Sequence, residues 1–283
     1  MQAPLDFLAH GVFTHHVLAT GRCDALASEE SEHILTPEIQ YANPEISCKR
    51  ARDEGNGFSV VVDPLDGSGN IDCGVGVGTI FGIYPPLEVA ASLKARVLRP
   101  ARQLCAAGYC LYGAHTALVV AVGGGRPRVF TLCPKTRRFL SVAGEAGELC
   151  CPAAGPTYSC NEAQAHEWDG KVREFIDQRK MAGGRLRYVG SMVADVHRTL
   201  LQGGVFLYPH TPTRPHGKLR LLYECGPLAY VATSAGGKAI VVDSGEEVLD
   251  AVPTGLHARC PVLMGGSSDV EHFLSILEKS LPP

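Results

Sequence analysis

Three consecutive valines, Val60-Val61-Val62, running into Asp63-Pro64-Leu65-Asp66-Gly67-Ser68, constrain this chain more than any other stretch. The β-branched run predicts a short buried strand. It ends on an acid, a proline and a second acid, and Pro64 fixes φ so that both carboxylates can turn toward one point above the strand end. Two carboxylates at this spacing repel each other unless a cation lies between them, and hard oxygen ligands suit Mg²⁺ or Mn²⁺. Gly67 and Ser68 follow with backbone N–H groups in a turn that can wrap an anion. The same residues are common in solvated turns. Here, however, a buried strand precedes them and the apolar run Val75–Tyr84 follows, so the stretch reads as a metal-assisted phosphate site.

The rest of the chain is legible around that turn. Pro4 to Ala19 predicts a helix with Leu5, Leu8 and Val12 on its core-facing side and Gly21 as its stop; the chain would thus open inside structure, with no leader. Asp6 lies in its first turn, where an acid offsets the helix dipole. Ala25 to Ser28 is an apolar run ending in Glu29 and Glu30, and 37–57 reads as a polar, flexible loop. Strands are expected over 75–84 and within 104–122. A glycine turn at 123–125 precedes a strand at 129–133, and 139–142 is its hairpin partner. A Gly/Pro-rich stretch, 143–156, is a candidate boundary between an N-terminal α+β domain (1–150) that carries the metal site and a C-terminal α/β domain (151–283).

Beyond the boundary, a helix is expected from Asn161 to about Arg179 with Asn161 and Gln164 at capping-box spacing. A second helix follows Ser191, a strand covers 204–208, a helix runs from Pro227 to Ala235 and a strand covers 238–242. A last helix covers 268–281 with Glu271 at capping-box spacing. This order predicts an α/β protein layered αβαβα, in two subdomains. Arg187, Tyr188, Tyr208 and Lys218 form a second candidate constellation of cationic and hydroxyl groups, fitted to a phosphate remote from the metal. Together the two constellations call for a substrate with two phosphates.

Composition excludes other partners. A net charge of −3 offers no groove for nucleic acid, and no apolar run is long enough to span a bilayer. The eleven cysteines are scattered without zinc or redox spacing, which reads as reduced thiols of a cytoplasmic protein.

These motifs, with 78–84, Ala107-Gly108-Tyr109, 187–200 and 218–224, resemble the class I fructose-1,6-bisphosphatase family from about Leu5 to the C-terminus. The resemblance implies the layered sugar-phosphatase fold, a homotetramer or homodimer, a sugar bisphosphate as substrate, and a cytoplasmic or plastid setting. It implies Glu29, Asp63, Asp66, Glu224 and the Leu65 carbonyl as ligands of Mg²⁺ (or Mn²⁺). Glu30 and Asp6 would orient or deprotonate the attacking water. Gly67 and Ser68 would hold the 1-phosphate, and Asn161, Tyr188, Tyr208 and Lys218 the 6-phosphate and sugar. Arg187 would reach in from a neighbouring subunit.

The departures from the family pattern are equally specific. Family members extend further at the N-terminus, in a segment bearing most of an AMP site. Gly57, Phe58 and Pro85 replace AMP-contacting residues, so AMP inhibition is not expected. Gly69 replaces a serine of the acidic turn, and Gln164 replaces a tyrosine of the 6-phosphate pocket. The change at Gln164 is the hint for sedoheptulose-1,7-bisphosphate as an alternative substrate. A catalytically weak regulatory homologue is the remaining alternative.

Overall fold

The computed structural model describes residues 4–37, 57–88, 91–141 and 147–279. The loop expected at 37–57 lies almost wholly outside them. The first sheet has seven strands in chain order: β1 (Cys23–Ser28), β2 (Phe58–Asp66), β3 (Val77–Tyr84), β4 (Ala106–Tyr112), β5 (Thr116–Val122), β6 (Arg128–Cys133) and β7 (Arg138–Ser141). Only β1 and β2 are parallel; each later strand is antiparallel to its predecessor. The second sheet runs β11 (Lys238–Val241), β12 (Val262–Gly265), β10 (Val205–Tyr208), β8 (Thr157–Ser159), β9 (Arg185–Leu186).

Helices complete the expected αβαβα stack. Helix α1 (Pro4–Ala19) covers β1 and β2 from outside, and a short helix α2 (Leu93–Val97) also packs on these strands. Between the sheets lie α4 (Met192–Gln202) and α5 (Gly226–Ser234), while α3 (Gly170–Met181) and α6 (Ser267–Glu278) pack together beyond the second sheet. Period-two alternation explains how one strand serves two layers. Ala25, Ala27 and Val61 face the central cluster, whereas Cys23, Leu26, Val60 and Val62 meet α1 residues such as Leu18. In the second sheet Phe206 and Tyr208 face the central cluster, and Val205 and Leu207 face Phe175 and Phe273. A strand buried on both faces has no polar positions to reveal its period, hence the unbroken valines of β2.

Several local expectations are corrected. Helix α1 buries Asp6, Thr14 and Leu18, while Leu5, Leu8 and Val12, expected in the core, are exposed. The helix expected from Asn161 is two pieces, because Trp168 turns into the core between a 3-10 helix at Glu162–Glu167 and α3. Asp169 is the true cap, its side chain accepting the Lys171 N–H; Asn161 makes no side-chain cap. Helix α6 likewise lacks a capping box: Gly266 occupies the N-cap, and Glu271 pairs with Lys238 at 2.7 Å. The described cysteines are free thiols.

Candidate active site

The two sheets and the middle helices meet around a cleft of about 520 Å³ whose floor is the acidic turn. Strand β2 does not stop at Asp63. It continues to Asp66 through a bulge, with Asp63 opposite Ile80 and Asp66 opposite Gly78, so β2 spends one residue more than β3 there. Such a bulge re-aims side chains, and both aspartates are buried at its ends. Because β1 is parallel to β2 with Ser28 beside Val62, Glu29 emerges next to Asp63, and its N–H donates to the Val62 carbonyl at 3.1 Å. His10 on α1 pins this corner through Ser28 Oγ at 2.9 Å.

Glu224 arrives from the other side of the cleft on a single turn of π-helix, Leu221–Cys225, that opens into α5. A π-turn places one residue where a regular helix would not, a recurrent device at functional sites. The Arg220 N–H donates to Glu224 Oε2 at 3.1 Å, and the Arg220 guanidinium lies 3.7 Å from Glu29. Carboxylate oxygens of Glu29, Asp63 and Glu224 lie within 4.8 Å of one another.

The electrostatics of this cluster decide what it can hold. Burial, then the neighbouring carboxylates Asp66, Glu29 and Glu224, push the Asp63 carboxyl well above its ordinary value. Burial and Glu29 raise Glu224 likewise. Asp66 is pushed up to about 6, chiefly by burial, against the pull of two donors: Val193 N–H at 2.8 Å and Ser191 Oγ at 3.2 Å. Several acids converge here and Arg220 is the single cation paired with them among the described residues. That imbalance is the signature of a cation site, and an all-oxygen donor set fits a hard divalent ion. Asp63, Glu29 and Glu224 are the residues placed to hold it. Asp66 is turned toward the N-terminus of α4.

The candidate phosphate-binding residues line the same cleft. Gly67 has φ +78°, and a Cβ there would sit 2.6 Å from the Ser191 side chain; the turn comes this close to α4 because residue 67 has none. A 3-10 helix, Ser68–Cys73, follows. At the far end are Tyr188, Tyr208 and Lys218, with the Lys218 ammonium 5.9 Å above the Tyr208 ring. The loop carrying Tyr188 is fixed from beneath by Asp195. Its buried carboxylate accepts the N–H groups of Val189 and Gly190, both at 3.1 Å, and pairs with Arg198 at 2.5 Å. Thus one end of α4 braces both the metal-side Asp66 and the distal Tyr188.

Of the residues singled out in the sequence, Glu29, Glu30, Asp63, Leu65, Asp66, Gly67, Ser68, Tyr188, Tyr208, Lys218 and Glu224 line the cleft. Asp6, Asn161 and Arg187 do not: Asp6 is buried in the first turn of α1, Asn161 precedes the 3-10 helix, and Arg187 is exposed. Gln164 is also outside the lining. Arg220, Arg259 and Asp195 line it without having been singled out. Arg220 alternates with leucines and reads as a solvated strand position, and no local pattern distinguishes Arg259.

A family model described as "Fructose-1-6-bisphosphatase, N-terminal domain" matches residues 1–143, and one described as "Fructose-1-6-bisphosphatase, C-terminal domain" matches residues 151–278. The chain belongs to the fructose-1,6-bisphosphatase family. It is 41% identical over 280 residues to the cytosolic fructose-1,6-bisphosphatases of Arabidopsis thaliana and Spinacia oleracea, covering 97% of this chain and 76% of each relative. Among solved structures it is similar to Leishmania major fructose-1,6-bisphosphatase in holo form, with a TM-score of 0.86 and 33% identity, covering 98% of this chain and 82% of that one. The layered α/β fold read from the element order is therefore the family's own, in a chain of the phosphatase class.

Proposed function

We propose that this chain is a divalent-metal-dependent hydrolase that removes the 1-phosphate of D-fructose 1,6-bisphosphate, giving fructose 6-phosphate and phosphate. One observation carries the reading. A cluster of three acids built for a cation, Glu29, Asp63 and Glu224, shares a single cleft with a Tyr188–Tyr208–Lys218 end suited to a second phosphate. The family relationship narrows the bisphosphate to that of fructose.

In this mechanism Glu29, Asp63, Glu224 and the Leu65 carbonyl hold Mg²⁺ or Mn²⁺, with Asp66 completing the set. Bound there, the ion supplies Lewis-acid polarisation of the phosphoryl group and a more acidic water. Gly67 and Ser68 orient the 1-phosphate by backbone and hydroxyl donors. Glu30 receives a proton as water oxygen bonds to phosphorus and the P–O bond to C1 breaks, and a proton returns to the sugar alkoxide. Tyr188, Tyr208 and Lys218 grip the 6-phosphate. Asp6, in the first turn of α1, and Asn161, before the 3-10 helix, lie outside the cleft lining. Arg187 is exposed beside Tyr188 and does not line its own chain's cleft, which supports a homodimer or homotetramer in which it serves a neighbouring copy. The enzyme works in the cytosol, as its relatives are named, in gluconeogenesis or a photosynthetic carbon cycle. No helix among the described residues is long and apolar enough to cross a membrane.

Phosphate release from fructose 1,6-bisphosphate, with Mg²⁺ and with chelator, tests the reaction. Metal-dependent turnover that disappears in Glu224→Gln is expected; no turnover by the folded, metal-loaded protein refutes it. AMP is not expected to inhibit, and potent inhibition in an AMP titration overturns that part. Sedimentation together with mixing of Arg187→Ala and Glu224→Gln chains tests the shared site, and recovery of activity in the mixture is expected.

A further inference from the structure

Beyond the Tyr188–Lys218 end of the cleft, the loop 211–217 borders a second cavity of about 410 Å³, lined by Thr213, Arg214, His216, Lys218 and Arg259 with Pro215 and Gly217. No carboxylate of the described residues lines it. Among the described residues, the side chains of Arg214, His216 and Lys218 make no ion pair and no hydrogen bond, and one Arg259 N–H donates to the Lys218 carbonyl. The nearest acid in the bonding pattern is Glu167, which accepts from the Thr213 hydroxyl at 3.3 Å outside the lining. The walls are built rather than loose. Thr211 and Arg214 exchange backbone hydrogen bonds at 3.2 and 2.8 Å, and Gly217 N–H closes the turn on the Arg214 carbonyl at 2.9 Å. Gly217, at φ +78°, lies so close to the 260–261 backbone that a Cβ would stand 2.8 Å from the Pro261 nitrogen.

The Arg214 and Lys218 cations, held about one concavity without an ion pair among the described residues, repel each other, and an anion with several acceptor oxygens relieves that repulsion. Arginine and histidine donors from loop 211–217, with Arg259 from a separate segment, can meet several oxygens of one tetrahedral oxyanion. We propose that loop 211–217, with Lys218 and Arg259, forms a second phosphate-binding subsite at the mouth of the cleft, taking inorganic phosphate or the phosphate group of a sugar phosphate. Lys218 and Arg259 line both cavities, so the subsite is continuous with the catalytic cleft, yet Arg214 and His216 belong to it alone. The proposal does not rest on the reaction assigned above.

Calorimetric titration of the full chain with inorganic phosphate, in chelator at low salt, tests it. Saturable binding is expected, weakened about tenfold or more in R214A/H216A and kept in R214K/H216K. Tyr188→Phe, at a residue that lines the cleft and not this cavity, is expected to leave it unchanged. Absence of saturable binding, or full-strength binding in R214A/H216A, overturns the subsite. Both loop positions are exposed, and an unaltered melting temperature shows that the variants fold. A second arm separates the two sources: a raised KM for fructose 1,6-bisphosphate in R214A/H216A assigns the subsite to the substrate's own phosphate. An unchanged KM with weakened inhibition by inorganic phosphate assigns it to the free ion.

Discussion

Replacing Asp66 by asparagine removes a charge that the fold holds at a cost, so in the absence of metal the variant should be the more stable protein. The folded chain keeps the Asp66 proton up to about 6, whereas the ordinary value is 3.8. Between those values the folded state binds more protons than the unfolded one, so stability falls as pH rises, and above about 6 the whole penalty is present. Two pH units correspond to about 3 kcal/mol. Asparagine resembles the protonated acid: it can still accept from Val193 N–H and carries no charge against Glu29 and Asp195, the carboxylates that raise Asp66. For a chain of this size that stabilisation corresponds to a melting temperature about 5–10 °C higher at pH 7. The assay is thermal unfolding of both proteins at fixed protein concentration, from pH 4 to pH 7.5, with chelator and then with Mg²⁺. The gap should be full at pH 7, close to zero at pH 4, and smaller or reversed with Mg²⁺, because an ion bound only by the folded state offsets the repulsion and the variant binds it less well. An Asp66→Asn protein no more stable than its parent at pH 7 in chelator, or a gap that ignores pH, refutes the reasoning. Activity should fall in the same variant by orders of magnitude, separating what the residue does for the reaction from what it does for the fold.

Other perturbations test other joints. His197 is held down to about 4 by burial and by His115, and its Nδ1 meets the Tyr109 hydroxyl at 2.8 Å. Stability should therefore fall by about 3 kcal/mol as pH drops from 6.5 to 4, opposite in sign to Asp66, and urea titrations of His197→Gln should show that slope removed. Gly67→Ala, which combines a left-handed φ with a Cβ 2.6 Å from Ser191, should destabilise by about 2–3 kcal/mol; adding Ser191→Gly should recover only the steric part. Asp195→Asn should raise KM about tenfold with a smaller change in kcat, because it loosens the loop carrying Tyr188 rather than the metal-side acids; equal losses in both parameters argue against a positioning role.

What was legible in the sequence follows from how local each signal is. The acidic turn was readable because two carboxylates, a proline and two small residues stand within six positions. That Glu29 faces Asp63 was not, because it depends on the parallel register of β1 and β2, which only the structure shows. The bulge at Asp63–Asp66 was not, since a bulge is defined by the partner strand and β3 lies a dozen residues on. Helix α1 illustrates a failure of a different kind. Its 3.6-residue period is compatible with two faces, and the buried one carries Asp6 and Thr14 beside Leu18, so counting apolar residues selected the exposed side. Asn161 offered a favourable cap, but Trp168 enters the core and breaks the helix between them, a tertiary preference overriding a local one.

Glu224 joins these two lessons. Its place among the candidate metal-ligating acids came from resemblance, and the local sequence alone places a glutamate between Leu221-Leu222-Tyr223 and Cys225 with nothing to mark it. The physical reason it can stand there is visible only in three dimensions: the π-turn gives it one extra residue of rotation, Arg220 N–H takes one oxygen, and Glu29 and Asp63 face the rest. Buried together without a counter-ion, these acids weaken the fold; a bound cation would offset that repulsion and tie together β1, β2 and the turn before α5. Affinity for the ion and rigidity of the cleft are thus the same interaction, and loss of metal should loosen the strand ends and the π-turn together rather than either alone.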